Sequence, residues 1–125
     1  MVKSLIAISV SFALLFGLAI FEWFYVDKEF SDFHEELQTL YDKVERGTAN
    51  GEDAKAVQTK WEKRKSSLHI WIPHNDVTRI DDYLAEAVRL VAERDYELAL
   101  PKLEILIHLS KCLPDTYKPG IENVF

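Results

Sequence analysis

Apolar residues recur along this chain at helical spacing, and the first such stretch changes character part way. From Ser4 to Phe21 eighteen residues carry no charge. As a helix they extend about 27 Å, close to the roughly 30 Å hydrocarbon core of a bilayer. Glu22 ends the run, and Trp23, Phe24, Tyr25 and Val26 follow before Asp27, Lys28 and Glu29. Trp and Tyr at the end of an apolar run suit a membrane–water interface, because a flat apolar ring with a polar tip is half wet there. Val26, Phe30, Phe33, Leu37, Leu40 and Val44 then recur at steps of four, three, four, three and four. That is the 3.5-residue seam of a helix packed along another helix. Counted back, Trp23, Ala19, Phe16 and Phe12 continue the seam, so one helix is predicted from the apolar stretch to residue 46.

Three further helices follow from the pattern. Residues 47–51, Gly-Thr-Ala-Asn-Gly, form the clearest loop, with Asn50 placed to cap and Glu52 and Asp53 suited to the positive end of a helix. Ala54, Val57, Trp61 and Leu68 mark an apolar stripe over 52–70, with basic residues at 64 and 65. Ile70-Trp71-Ile72 leads into Pro73, which ends that helix or forces an extended turn. His74, Asn75 and Asp76 offer capping groups, Asn75 or Asp76 foremost, for a helix over 76–93 with Val77, Ile80, Leu84, Ala87 and Val91 on one face. Asp95 is placed to cap the last helix, whose inner face runs through Tyr96, Ala99, Leu103, Leu106 and Ser110. Pro101 is expected to kink this helix or delay its start, and Pro114 to close it. The last two helices read as one αα-hairpin, since no 34-residue repeat recurs. Residues 115–125 form a tail in which Ile121, Val124 and Phe125 are apolar enough to dock.

Composition narrows the function. Fifteen Lys and Arg against twenty-one Asp and Glu give a net charge of −6, which disfavours a phosphate-backbone binder and implies no nucleic-acid partner. At 48% hydrophobic residues the chain is not disordered, and four Gly and four Pro in 125 residues argue against a turn-rich β fold. The first 26 residues admit two readings. Gly17-Leu18-Ala19 has the small residues of a cleaved secretory signal, whereas the length of the run and its aromatic belt favour a retained anchor. Lys3 and the amine before the span, and Glu22, Asp27 and Glu29 after it, orient the N-terminus to the cytoplasm and the rest outside. The only cysteine is Cys112, so neither an intrachain disulfide nor an N-terminal lipidated cysteine is available. Between Leu109 and Leu113 it is expected to be a buried small hydrophobe.

Chemical motifs are sparse. There is no Gly-x-Gly-x-x-Gly, phosphate-binding loop, Cys-x-x-Cys, His-Glu-x-x-His or Gly-x-Ser-x-Gly. Of four histidines, His69 and His74 flank Pro73, and His108 lies one turn after Glu104. A metal or small-ligand site joining His69, His74, His108 and Glu104 is conceivable, but no spacing among them is diagnostic of metal ligation. Asp81 and Asp82 are adjacent on a helix and point about 100° apart, which makes them first-turn acids rather than a paired-carboxylate site. Lys60, Lys63, Arg64 and Lys65 form a basic cluster, read either as a solvated face complementing the helix dipole or as a contact for anionic headgroups or an acidic partner. No cofactor is implied.

The most distinctive stretch is Leu68-His69-x-Trp71-Ile72-Pro73-His74-Asn75-Asp76-Val77-x-Arg79-Ile80-Asp81-x-Tyr83-Leu84. With the N-terminal anchor, Lys60-Trp61, the Asp95-Tyr96 hairpin and the Glu-Asn-Val-Phe ending, the chain resembles an uncharacterised family of short, single-pass membrane-anchored helical proteins of clostridia-like Firmicutes. Such families are catalogued as domains of unknown function, so the resemblance brings no catalytic residues. Physically the stretch reads as a helix–helix corner, with Trp61, Trp71, Pro73, His74, Asn75, Arg79 and Asp81 as candidate interaction or corner residues. The expected fold is all-α: an anchor over 1–26 joined to an extracytoplasmic bundle of about four helices over 27–114, then the 115–125 tail. The expected function is non-enzymatic, a membrane-tethered interaction or accessory-subunit module partnering another membrane or envelope protein, or its own copies through the residue 12–44 seam. The alternative is an extracytoplasmic small-ligand or metal sensor using His69, His74 and His108.

Overall fold

The computed structural model describes residues 1–68 and 72–116, except for the side chains of residues 115 and 116. The described residues hold four α-helices and no strand: α1 (Val2–Glu45), α2 (Gly51–Leu68), α3 (His74–Ala92) and α4 (Tyr96–Thr116). α1 packs on α2 and α4, and α3 packs on the same two helices. Side-chain pairs such as 43 with 53, 61 with 81, 86 with 102 and 41 with 104 run in opposite directions along the helices, so each neighbour is antiparallel. This is an up-down-up-down four-helix bundle, with α2 diagonally opposite α4.

The expected seam forms one wall of its core. Val26, Phe30, Phe33, Leu37, Leu40 and Val44 are all buried, as are Trp61 and Leu68 from α2, Ile80, Leu84 and Val91 from α3, and Leu103 and Leu106 from α4. Before Trp23 the seam loses its cover. The large apolar side chains from Val2 to Phe21 are exposed, Phe12 and Phe16 among them. α1 therefore projects from the bundle as a largely apolar stem about 30 Å long.

Turn chemistry explains the corners. Asn50 Oδ1 accepts from the Asp53 N–H at 2.9 Å, and an Asp53 carboxylate oxygen accepts from the Asn50 N–H at 3.1 Å, a reciprocal cap with Asp in the usual Glu position. α1 ends with Thr48 N–H on the Lys43 carbonyl and Gly47 N–H on the Val44 carbonyl, Gly47 having φ 73°. α3 repeats this closure, Asp95 N–H bonding Leu90 and Arg94 N–H bonding Val91, with Arg94 at φ 61° where glycine is the usual residue. Tyr96 Oη donates to the Ala49 carbonyl and ties these two loops together.

Some expectations are corrected. Neither Asn75 nor Asp76 caps α3. Pro73 is the N-cap, its backbone extended at φ −54° and ψ 142°, and the helix starts at once, so both residues lie in its first turn. Pro101 does not delay α4, which begins at Tyr96 and runs unbroken through it. Nor does Pro114 close α4. It is buried, and the helix continues to Thr116, because a proline in the last turn forfeits only one backbone bond. His69, Trp71 and the residues 117–125, with Ile121, Val124 and Phe125, lie outside the described residues.

Candidate functional site

Trp61 is the centre of the polar structure between the helices. It is 1% exposed. Its indole stacks on Phe33 at 4.8 Å between centroids and lies tilted against Phe30 at 6.3 Å. An indole N–H buried this deeply needs an acceptor, and Asp81 Oδ1 supplies it at 2.7 Å. Lys65 Nζ approaches the same carboxylate at 3.3 Å and Glu62 at 2.9 Å. These carboxylates, Glu62 foremost, raise the Lys65 pKa against the opposing effect of burial.

One turn along α2, Arg64 binds α1. Its two terminal nitrogens reach the two carboxylate oxygens of Glu36 at 2.6 and 2.7 Å, and its Nε reaches Glu29 at 3.0 Å. The Arg64 side chain is 13% exposed and that of Glu36 19%, so this fork is largely out of water. The guanidinium pKa is raised, chiefly by the Glu36 hydrogen bonds. Lys60 adds a longer approach to Glu36 at 3.8 Å, and Lys43 pairs with Asp53 at 3.3 Å.

The basic cluster is thus neither a plain solvated face nor an uncommitted cationic patch. Lys60, Arg64 and Lys65 bind carboxylates of α1, α2 and α3, and Lys63 is exposed. A sequence signal for Arg64 existed. Val57, Trp61, Arg64 and Leu68 follow steps of four, three and four, and a cation on a buried seam requires an anion opposite it. The identity of that anion, 28 residues away, had no local signature.

Of the candidate residues, Trp61 and Asp81 are brought together. Pro73, His74 and Asn75 sit at the stem-proximal corner, exposed, with His74 Nε2 3.4 Å from the Thr78 hydroxyl of its own helix. Arg79 is exposed on α3. Glu104 accepts from Tyr41 Oη at 3.0 Å, and that contact, with burial, raises the tyrosine pKa. His108 lies against Cys112, Nε2 to Sγ at 3.5 Å. Among the described residues no three His, Cys, Asp or Glu side chains gather as a metal site needs.

Cys112 is half-exposed, not a buried hydrophobe. Leu113 is buried, but neighbours on a helix point about 100° apart, so leucines flanking a residue in sequence do not share its face. The sequence reading also missed His34, whose Nδ1 lies 2.9 Å from the oxygen of buried Ser110. Ser110 donates to the Ile107 carbonyl at 2.7 Å, so the imidazole donates to Ser110. This joins α1 to α4 at the stem end.

The concave surfaces are open grooves between helices. One runs between α1 and α2 past Glu36, Leu40, Val57 and Arg64, another between α2 and α3 past Lys55, Thr59, Ala85 and Arg89. Neither of these two gathers a nucleophile with a base. A smaller hollow between α1 and α4 is lined by Ser110 and His34, where the hydroxyl is turned to the Ile107 carbonyl rather than to the imidazole. A family model described as a domain of unknown function, DUF4363, matches residues 20–124. No curated protein and no solved structure matches the chain.

Proposed function

The chain belongs to the DUF4363 family, a membership that carries no activity with it, and from that premise we propose a membrane-tethered, non-enzymatic interaction module, an accessory subunit of another membrane or envelope protein. The observation that carries this reading is the α1 stem. Its residues 4–21 carry no charge and present a predominantly apolar surface that the bundle leaves uncovered. One helix long and apolar enough to cross a bilayer is stiffly continuous with a folded domain whose own seam is fully occupied. The burial of Val26–Val44 within the bundle leaves only the stem half of the 12–44 seam for a partner's helix. Lys3 before the span and Glu22, Asp27 and Glu29 after it favour a bundle outside the cytoplasm.

Reporter fusions at residue 125 and mass determination of the membrane-extracted chain test this reading. The expected result is an extracytoplasmic reporter and an uncleaved stem. A cytoplasmic reporter, or a mature chain beginning near Ile20, refutes the tether in this form.

A further inference from the structure

Apart from the stem and Phe24 at its base, the described residues expose only two large apolar side chains: Leu98, 57% exposed, and Ile105, 36%. They lie seven residues apart on α4. Pro101 and His108, both exposed, and half-exposed Cys112 complete steps of three, four, three and four with them. This outward stripe mirrors the inward one through Ala99, Leu103, Leu106 and Ser110. It is a second 3.5-residue seam, about 21 Å long, on a helix whose core face is already filled.

We infer that this α4 stripe pairs with the same stripe of a second copy, the two α4 helices running parallel. The inference rests on the tether reading, because two chains anchored in one membrane share an orientation and a two-fold axis along the membrane normal keeps their α4 helices parallel. The flanking charges fit that arrangement. With Leu98, Ile105 and Cys112 at a positions and Pro101 and His108 at d, Glu97 occupies g and Lys102 the following e. In a parallel pair, g of one helix faces that e of its partner. Each Glu97 then meets a Lys102 of the other copy, twice by symmetry. Antiparallel pairing would set Glu104 against Glu104 at its centre and Glu97 against Lys111 at each end, so charge admits both directions and the shared membrane orientation selects the parallel pair. Lys102 already pairs with Glu86 at 2.9 Å and lies over the Tyr83 ring, so its ammonium is held at the border of the stripe. The seam is short, and confinement to a membrane supplies the effective concentration it needs.

The parallel axis puts the two Cys112 side chains opposite one another. In an antiparallel pair they would lie at opposite ends of the stripe. Full-length chain in native membranes, treated with a short bis-maleimide, reads this directly. The expected result is a covalent dimer of twice the chain mass. It should be lost in Leu98→Glu/Ile105→Glu, whose positions are exposed and spare the core. A Cys112→Ser/Ser66→Cys chain moves the thiol to the stem end of α2, on the far side of the bundle, and should give at least fivefold less dimer. Equal yields from the two thiol positions would mean chance collision and overturn the proposal. So would yields indifferent to the two glutamates, or an adduct of Cys112 with a different protein in place of the dimer. Alkaline carbonate extraction separates the two readings. A chain that washes off the membrane refutes the tether, whereas a retained chain without Cys112-dependent dimer refutes only the α4 pairing.

Discussion

At the scale of single residues, the polar groups between helices sit where local sequence offered a position but not a partner. Trp61 was legible as core from its place on the α2 stripe. Its bond to Asp81 was not, because the two are 20 residues apart and Asp81 read as an ordinary first-turn acid. The two roles separate experimentally. Trp61→Ala removes the stack on Phe33 and the indole volume and is expected to cost about 3–5 kcal/mol. Trp61→Phe keeps most of the packing and removes the donor to Asp81, which Lys65 still partners, so its cost is expected near 1–2 kcal/mol. Denaturant midpoints of the two variants measure this. Equal losses would show that Trp61 is held by its hydrogen bond rather than by packing. Cys112 and His34 mark the other limit. Exposure of a half-apolar helix position depends on which neighbouring helix covers it, and that is set by the bundle rather than by flanking leucines.

Helices, as elements, were more readable than their ends. The 3.5-residue periods of α1 and α3 located their buried faces residue by residue, since a stripe on a helix must be covered. Start and stop signals did less well where proline was involved. Pro73 was expected to turn the chain and does, yet it also serves as the N-cap, so the polar residues after it were left inside the first turn. The α2 cap was legible in Asn50, which stands just before an apolar stripe. The return bond at Asp53, placed only as an acid suited to the helix's positive end, came from the structure, and the cap makes a titratable prediction. The Asn50 N–H, with Lys43 after it, lowers the Asp53 pKa below the usual carboxylate range. A carboxylate with a depressed folded-state pKa stabilises fully above its unfolded value, about 3.9, and loses that contribution as pH falls through the folded value. Asp53→Ala is therefore expected to cost about 1 kcal/mol at pH 7, with the gap to the parent chain closing as pH drops below about 4. Thermal melts across that range check it. A gap that stays constant into acid would mean the carboxylate charge takes no part in the cap.

For the whole molecule, the seam from Phe12 to Val44 was read as one surface, and the structure divides it. A period of 3.5 identifies a face but not what lies against it. From Val26 onward the cover is the chain's own bundle, while before Trp23 the same face is bare. The two halves of α1 are thus energetically separable. Residues 2–21 are exposed, so the bundle draws no packing from them. Cutting the helix before Glu22 puts Glu22 in the new first turn, where negative charge suits the helix dipole. Deleting residues 1–21 is expected to move the chain from the membrane to the soluble fraction. Its melting temperature should stay within about 2 °C of the detergent-extracted parent, because a loss of even 1 kcal/mol would shift a domain of this size by about 4–8 °C. Fractionation and melting of the two chains give the answer. A truncated chain that stays soluble but melts more than about 5 °C lower would show that the stem braces the bundle. A truncated chain still bound to membranes would place the membrane contact on the bundle instead.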